Sequence, residues 1–317
     1  MSSISTESPA YVRHAIHGED RIWTETNCYT DLLIELVHSM GHDPVAMLPF
    51  TLAIDFEGDQ WTFFKPAHFD LVALYGLDVQ ELAIWKAPIE HVAEQVAVDH
   101  PVLIEVDSFW LPDTSGTAYR TTHQKTTIGV TEIDLERGSM AYFHNQGFYT
   151  VAGEDFARVF HFPSLPPYAE FVKRPQGFFA LTGDEQVALT LGMLKAHLSR
   201  VPRENPFMRF KVRLADDLDS LMAADIELFH KYSFATLRQY GACFELAETY
   251  LGWLDTKGVA GLEVPRSAFA SIAQTAKAFQ FQLARSMARK KPLDMGPLDT
   301  MGAQWEVGMT LLQSRYA

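Results

Sequence analysis

The chain of 317 residues contains only two cysteines, Cys28 and Cys243, too few for the disulfide framework that holds small secreted domains together. No apolar run approaches the roughly 18 residues needed to cross a bilayer, and no basic stretch followed by an apolar one opens the chain. These absences predict a cytoplasmic protein with no membrane association. Gly-rich phosphate loops of the dinucleotide or P-loop kind are missing, as are the CxxC and HExxH spacings of common metal centres, so no cofactor and no metal is expected. Positive charge is scarce where it would matter for nucleic acid: residues 1–160 carry 8 Lys+Arg against 24 Asp+Glu, a formal −16. A phosphate-rich polymer would be repelled by that half.

What is present is apolar and patterned. With 47% hydrophobic residues, the chain has material for two cores. Residues 1–20 are polar and uninformative. The stretch CYTDLLIELVHSMG places Leu32, Leu33, Leu36, Val37 and Met40 at helical spacing, and Gly41 supplies the stop. Beyond it, MLPFTLAI reads as a strand, HFDLVALYG as a helix, ELAIWKA as a strand and PIEHVAEQVAVD as a helix with proline at its first position. PVLIEVDSFWL reads as a buried strand, and KTTIGVTEID with MAYFHN as a β-hairpin. Pro163, Pro166, Pro167 and Pro175 then punctuate a linker. The remainder is helical, with Thr182 and Glu185 in capping-box spacing and long helices near 206–232, 235–256, 266–290 and 297–315. The expected organisation is an α+β domain over 1–160 and an α-helical domain over 161–317.

Cys28 carries the chemistry of this reading. It follows Asn27 at the first turn of its helix, where backbone N–H groups and the positive end of the helix dipole favour a thiolate. Acyl transfer through sulfur needs a base, a group that orients the base, and donors for the oxyanion. His123, just before the first hairpin strand, is the candidate base. Asn145, at the end of the second strand, is the candidate orienting group, with His144 its competitor for that place. Asn27 is a candidate oxyanion donor. Among acidic and aromatic residues, Asp107, Asp113 and Trp110 are candidates for holding a substrate, Asp107 as the partner of an ammonium group. Cys243 reads as a small core residue.

The segments WTETNCYTD, TLAIDFEGDQWTFFKP, IEVDSFWLPDTSGTAYRTTHQKTTI, YFHNQGF and FHKYSFATLRQYGACFELAETYLGWL resemble a bacterial family known as domain of unknown function 1839. The region around Asn27-Cys28 and the stretch LPDTSGTAYRTTHQKTTIGV also resemble the amino-terminal domain of butirosin-type acyltransferases. That second resemblance implies a papain-like α+β fold, a helix plus an antiparallel sheet, with the family's cysteine and histidine falling on Cys28 and His123. It implies transfer of an aminoacyl group from the phosphopantetheine thioester of a carrier protein to an amine. YFHN stands where that family has an aspartate, so the third member stays open between His144 and Asn145. An acidic acyl carrier protein and a small-molecule acceptor are the expected partners. Basic clusters in the second half, which carries a formal +2, offer the carrier a surface. Hydrolysis of the acyl-enzyme by a thioesterase, amidase or peptidase, and a non-catalytic scaffold of a biosynthetic cluster, are the alternatives.

Overall fold

The computed structural model describes residues 11–162 and 164–316. The polar start of the chain, residues 1–10, and the linker residue Pro163 lie outside it. The described residues form a mixed α+β protein of two compact units. The first comprises the segment ending at His17, Asn27–Pro44 and Ala67–Leu181; the second comprises Gly18–Thr26, Val45–Pro66 and the chain from Thr182 onward. The division falls at 181/182 rather than at 160/161, and the second unit takes two segments from the acidic half.

The first unit is a six-stranded sheet with helices on it. Its helices are α1 (Cys28–Ser39), α2 (His68–Tyr75), α3 (Pro88–Val96) and α4 (Gly153–Val159). Its strands are β1 (Asp78–Glu81), β2 (Val102–Asp107), β3 (Lys125–Asp134), β4 (Ser139–His144), β5 (Gly147–Ala152) and β6 (Ala169–Lys173). All neighbours are antiparallel, in the order β1-β6-β2-β3-β4-β5. Two strands escape the sequence reading: β5, which follows β4 after a two-residue turn, and β6, which lies inside the expected linker. β1 falls earlier than the strand expected in ELAIWKA.

Strand alternation sorts the side chains. On one face Ile104, Val106, Ile128, Val130, Met140 and Tyr142 form a buried cluster with Val92 of α3 and Phe156 and Val159 of α4. On the other, α1 lies against β3 and β4. Leu32 comes so near β3 that a Cβ on Gly129 would sit 3.2 Å from its Cδ1 and 3.4 Å from Leu103 Cδ2. Glycine there admits the helix. Gly129→Val should cost about 1–3 kcal/mol through overpacking, read as a lowered urea midpoint with unchanged m.

The second unit is helical: α5 (Gly183–Leu198), α6 (Pro206–Ala223), α7 (Ile226–Ser233), α8 (Gln239–Thr256), α9 (Glu263–Arg289) and α10 (Gly296–Tyr316). The helix expected over 206–232 is two helices. Thr182 stands at the N-cap of α5 but makes no side-chain capping bond. MLPFTLAI, read as a strand, lies in a 3₁₀ helix over Pro44–Ala53. Its apolar residues are buried all round, so apolarity without alternation could not distinguish the two. Between α7 and α8 the backbone makes a π turn, Phe234–Arg238, and the carbonyl of Ala235 accepts from Trp61 N at 3.0 Å. Trp61 is buried among Phe207, Phe210 and Tyr240, with ring centroids 4.8 Å from Tyr240 and 4.9 Å from Phe207. No described helix is long and apolar enough to cross a membrane.

Candidate functional site

Asn27 starts α1 in an extended conformation, and its side-chain oxygen accepts from Thr30 N at 2.9 Å. This N-cap fixes Cys28 as the first helical residue, half-buried and free of any disulfide. Beside it, Tyr29 turns into the unit, and its hydroxyl donates to Glu170 of β6 at 2.6 Å. His68 Nε2 lies 2.9 Å from the same hydroxyl, and Tyr168 donates to the other carboxylate oxygen at 2.8 Å. Burial and Glu170 together drive the Tyr29 hydroxyl well above the ordinary range, so it stays a donor. The first turn of α1 is thereby tied to β6. The thiol of Cys28 makes no hydrogen bond to His123 in this arrangement.

His123 is held by Asp107. The strand β2 ends at this aspartate, whose Oδ1 accepts from Phe109 N at 3.0 Å and from Gln124 N at 3.2 Å. With that oxygen anchored to backbone, Oδ2 meets His123 Nδ1 at 2.5 Å. The imidazole stacks on Phe109, centroids 4.3 Å apart and planes within 10°. A carboxylate on Nδ1 selects the tautomer that leaves Nε2 as the proton acceptor. The histidine side chain is 69% exposed and lines a cleft of about 380 Å³ with Asp107, Glu105, Lys125, His161 and Phe162. Asp107 thus orients the imidazole where an ammonium partner was expected of it. Asn145, expected in the orienting place, sits instead in the left-handed conformation (φ 48°) in the turn between β4 and β5.

Asp113 was expected to meet substrate, but its carboxylate turns inward. Oδ1 accepts from Tyr142 and Oδ2 meets His144 Nδ1, both at 2.5 Å, with the side chains of Asp113 and His144 only 3% and 2% exposed. His144 Nε2 lies 2.8 Å from Thr126 Oγ1. Since Thr126 and Ile128 share the face opposite α1, His144 belongs to that face and not to the one bearing Cys28. Trp110, expected to hold a substrate, packs against the apolar cluster with the Arg120 guanidinium over its ring at 4.5 Å, and it is not among the residues that line the cleft beside His123.

One buried polar group on α1 itself was not anticipated. Asp31 and Glu35, one helical turn apart, both reach His17: Nε2 lies 3.2 Å from Asp31, and Nδ1 bonds Glu35. All three side chains are fully buried. Glu35 also accepts from Tyr11 OH at 2.5 Å and from His14 N. The readable signal was two carboxylates at i and i+4 inside an apolar stripe, which demand a buried cation.

The basic clusters of the second unit are partly spent on internal pairs. Arg209 pairs with Asp55, Lys211 with Asp299 at 2.6 Å and Arg213 with Asp217 at 2.9 Å. Cys243 is fully buried, its thiol against Thr51 O at 3.3 Å, and burial pushes its pKa up.

A half-buried thiol at a helix start and a carboxylate-held imidazole beside a cleft are parts used by acyl-transfer and hydrolytic proteins. Two domain families match the chain, the DUF1839 N-terminal domain at residues 12–174 and the DUF1839 C-terminal domain at 183–314. The chain therefore belongs to the DUF1839 family. No curated protein matches it.

Proposed function

We propose that this protein is an acyl transferase that takes an aminoacyl or acyl group from a carrier-protein phosphopantetheine thioester, carries it on Cys28 and passes it to a small amine. His123 is the base and Asp107 the residue that orients it. The reading rests on the Asp107–His123 pair: a carboxylate anchored by two backbone N–H groups, holding an imidazole at a cleft of substrate size. The chain order, a cysteine at a helix start, a histidine at the next hairpin and the helix against its strands, supports a papain-like site. In this scheme Cys28 attacks the thioester carbonyl, and its own N–H with the Asn27 side chain meets the oxyanion. Meeting of sulfur and imidazole then requires the exposed His123 ring to swing when substrate binds, since apo contacts of this kind are commonly loose.

The protein incubated with aminoacyl-loaded carrier proteins should gain the mass of one acyl group on Cys28, and Cys28→Ala should gain none. Absence of the adduct across a panel of loaded amino acids would overturn the proposal. A cysteine hydrolase is the second reading, favoured by the exposure of His123, which leaves water free to compete with an amine. Free acid released in the presence of a saturating amine would decide for it.

A further inference from the structure

We propose that Thr126 is a second nucleophile of this protein, an acyl-accepting hydroxyl activated by His144 and Asp113, for activated esters or thioesters that reach the end of the β2–β3 pair. The four side chains form a chain of contacts: Thr126 Oγ1 to His144 Nε2 at 2.8 Å, His144 Nδ1 to Asp113 Oδ2 at 2.5 Å, and Tyr142 OH to Asp113 Oδ1 at 2.5 Å. With Nδ1–H directed at the carboxylate, Nε2 accepts the threonine O–H. That order of hydroxyl, imidazole and carboxylate makes a hydroxyl nucleophilic, and it is recognised by geometry rather than by chain position.

Thr126 shares its face with Ile128 and Val130, and its hydroxyl gives the buried Nε2 of His144 a partner that valine would remove. Thr126 and its bond to His144 are buried, but the immediate neighbours of this residue line the cleft. Thr126 is 9% exposed and lies directly across from Val106. Val106 lines the cleft, as do Lys125, the chain neighbour of Thr126, and Phe162, which packs on this same sheet face. Asp107 ends β2 and Lys125 begins β3, so the cleft lies at this end of the strand pair.

In the step inferred, Thr126 Oγ bonds to the acyl carbon while its proton passes to His144 Nε2. The bond to the leaving group breaks, and the departing thiol or alcohol takes that proton. Asp113 stabilises the transient imidazolium. The inference is independent of the Cys28 proposal.

The test uses a fluorophosphonate, which bonds to activated hydroxyls with loss of fluoride, on the full chain carrying Cys28→Ala so that no label can arise at that sulfur. One phosphonyl mass should appear, mapped to Thr126. Thr126→Val should lose it, Thr126→Ser should keep it, and His144→Gln should slow labelling by at least about 10²-fold. Unchanged melting temperatures establish that the variants are folded; if His144→Gln is not, the Val and Ser pair decides. Label found elsewhere, no label, or equal labelling of Thr126→Val overturns the proposal.

Discussion

His123→Ala is expected to lower acyl-transfer turnover by about 10²- to 10⁴-fold while leaving the melting temperature nearly unchanged. The ring is exposed and its packing is limited to one face against Phe109, so little of the fold depends on it. Asp107→Asn separates orientation from mere presence. The amide oxygen can keep the bonds from Phe109 N and Gln124 N, which turns its NH₂ toward His123 Nδ1. The imidazole must then accept at Nδ1 and carry its proton on Nε2, the wrong form for a base. Turnover should fall by a comparable factor although the local backbone is intact. If Asp107→Asn were fully active while His123→Ala was not, the carboxylate would be a loop brace only. If both kept full turnover, His123 would have no part in the reaction.

Glu35→Ala should be the most damaging single change in the first unit, at about 3–5 kcal/mol. It removes one acceptor from His17, strands the His14 N–H, and leaves the Tyr11 hydroxyl only the backbone carbonyl of residue 35. Glu35→Gln retains the volume and should cost less. The same group predicts a pH dependence of stability. Burial lowers the pKa of His17, but bonds and charge from Asp31 and Glu35 outweigh it and raise the value to about 9. The raised value means that the native state holds the proton more tightly than the unfolded chain. The stabilisation is complete below the unfolded pKa of about 6.5 and is lost as pH rises through 9. A shift of this size corresponds to on the order of 3 kcal/mol. Urea unfolding of the wild type between pH 6 and 10 should show the decline, and His17→Gln should flatten it. An unchanged midpoint across that range would show that His17 folds neutral.

Much of this was readable in the residues, and the misses have physical causes. The periodicity of CYTDLLIELVHSMG placed the start of α1 at Cys28 and its end within a residue of Ser39, because helical spacing is a local property. The β3–β4 hairpin was equally local. β6 was missed because a five-residue strand between prolines has no periodicity of its own and is made by pairing with β1 and β2, distant in sequence. The 3₁₀ helix over Pro44–Ala53 was misread because uniform burial erases the contrast that distinguishes helix from strand. Cys28 and His123 were singled out by residue type and position alone, whereas the carboxylate that holds His123 was sought one strand too late. Asp107 lies 16 residues before the histidine, and only the antiparallel pairing of β2 with β3 brings the two together. Likewise, Asp113 looked like a surface loop acid until the Tyr142 and His144 contacts turned it inward.

The π turn at Phe234–Arg238 has a consequence for the lineage of the fold. It holds one residue more than an ordinary helical turn and absorbs that surplus within the turn, so deleting one of the five would return the segment to ordinary α-helical winding with little rotation of α8. What would be lost is local: the carbonyl of Ala235, which Trp61 N now uses, would be drawn back into the helix's own bonding. A homologue shorter by one residue here should keep its helix faces and lack the bond to Trp61.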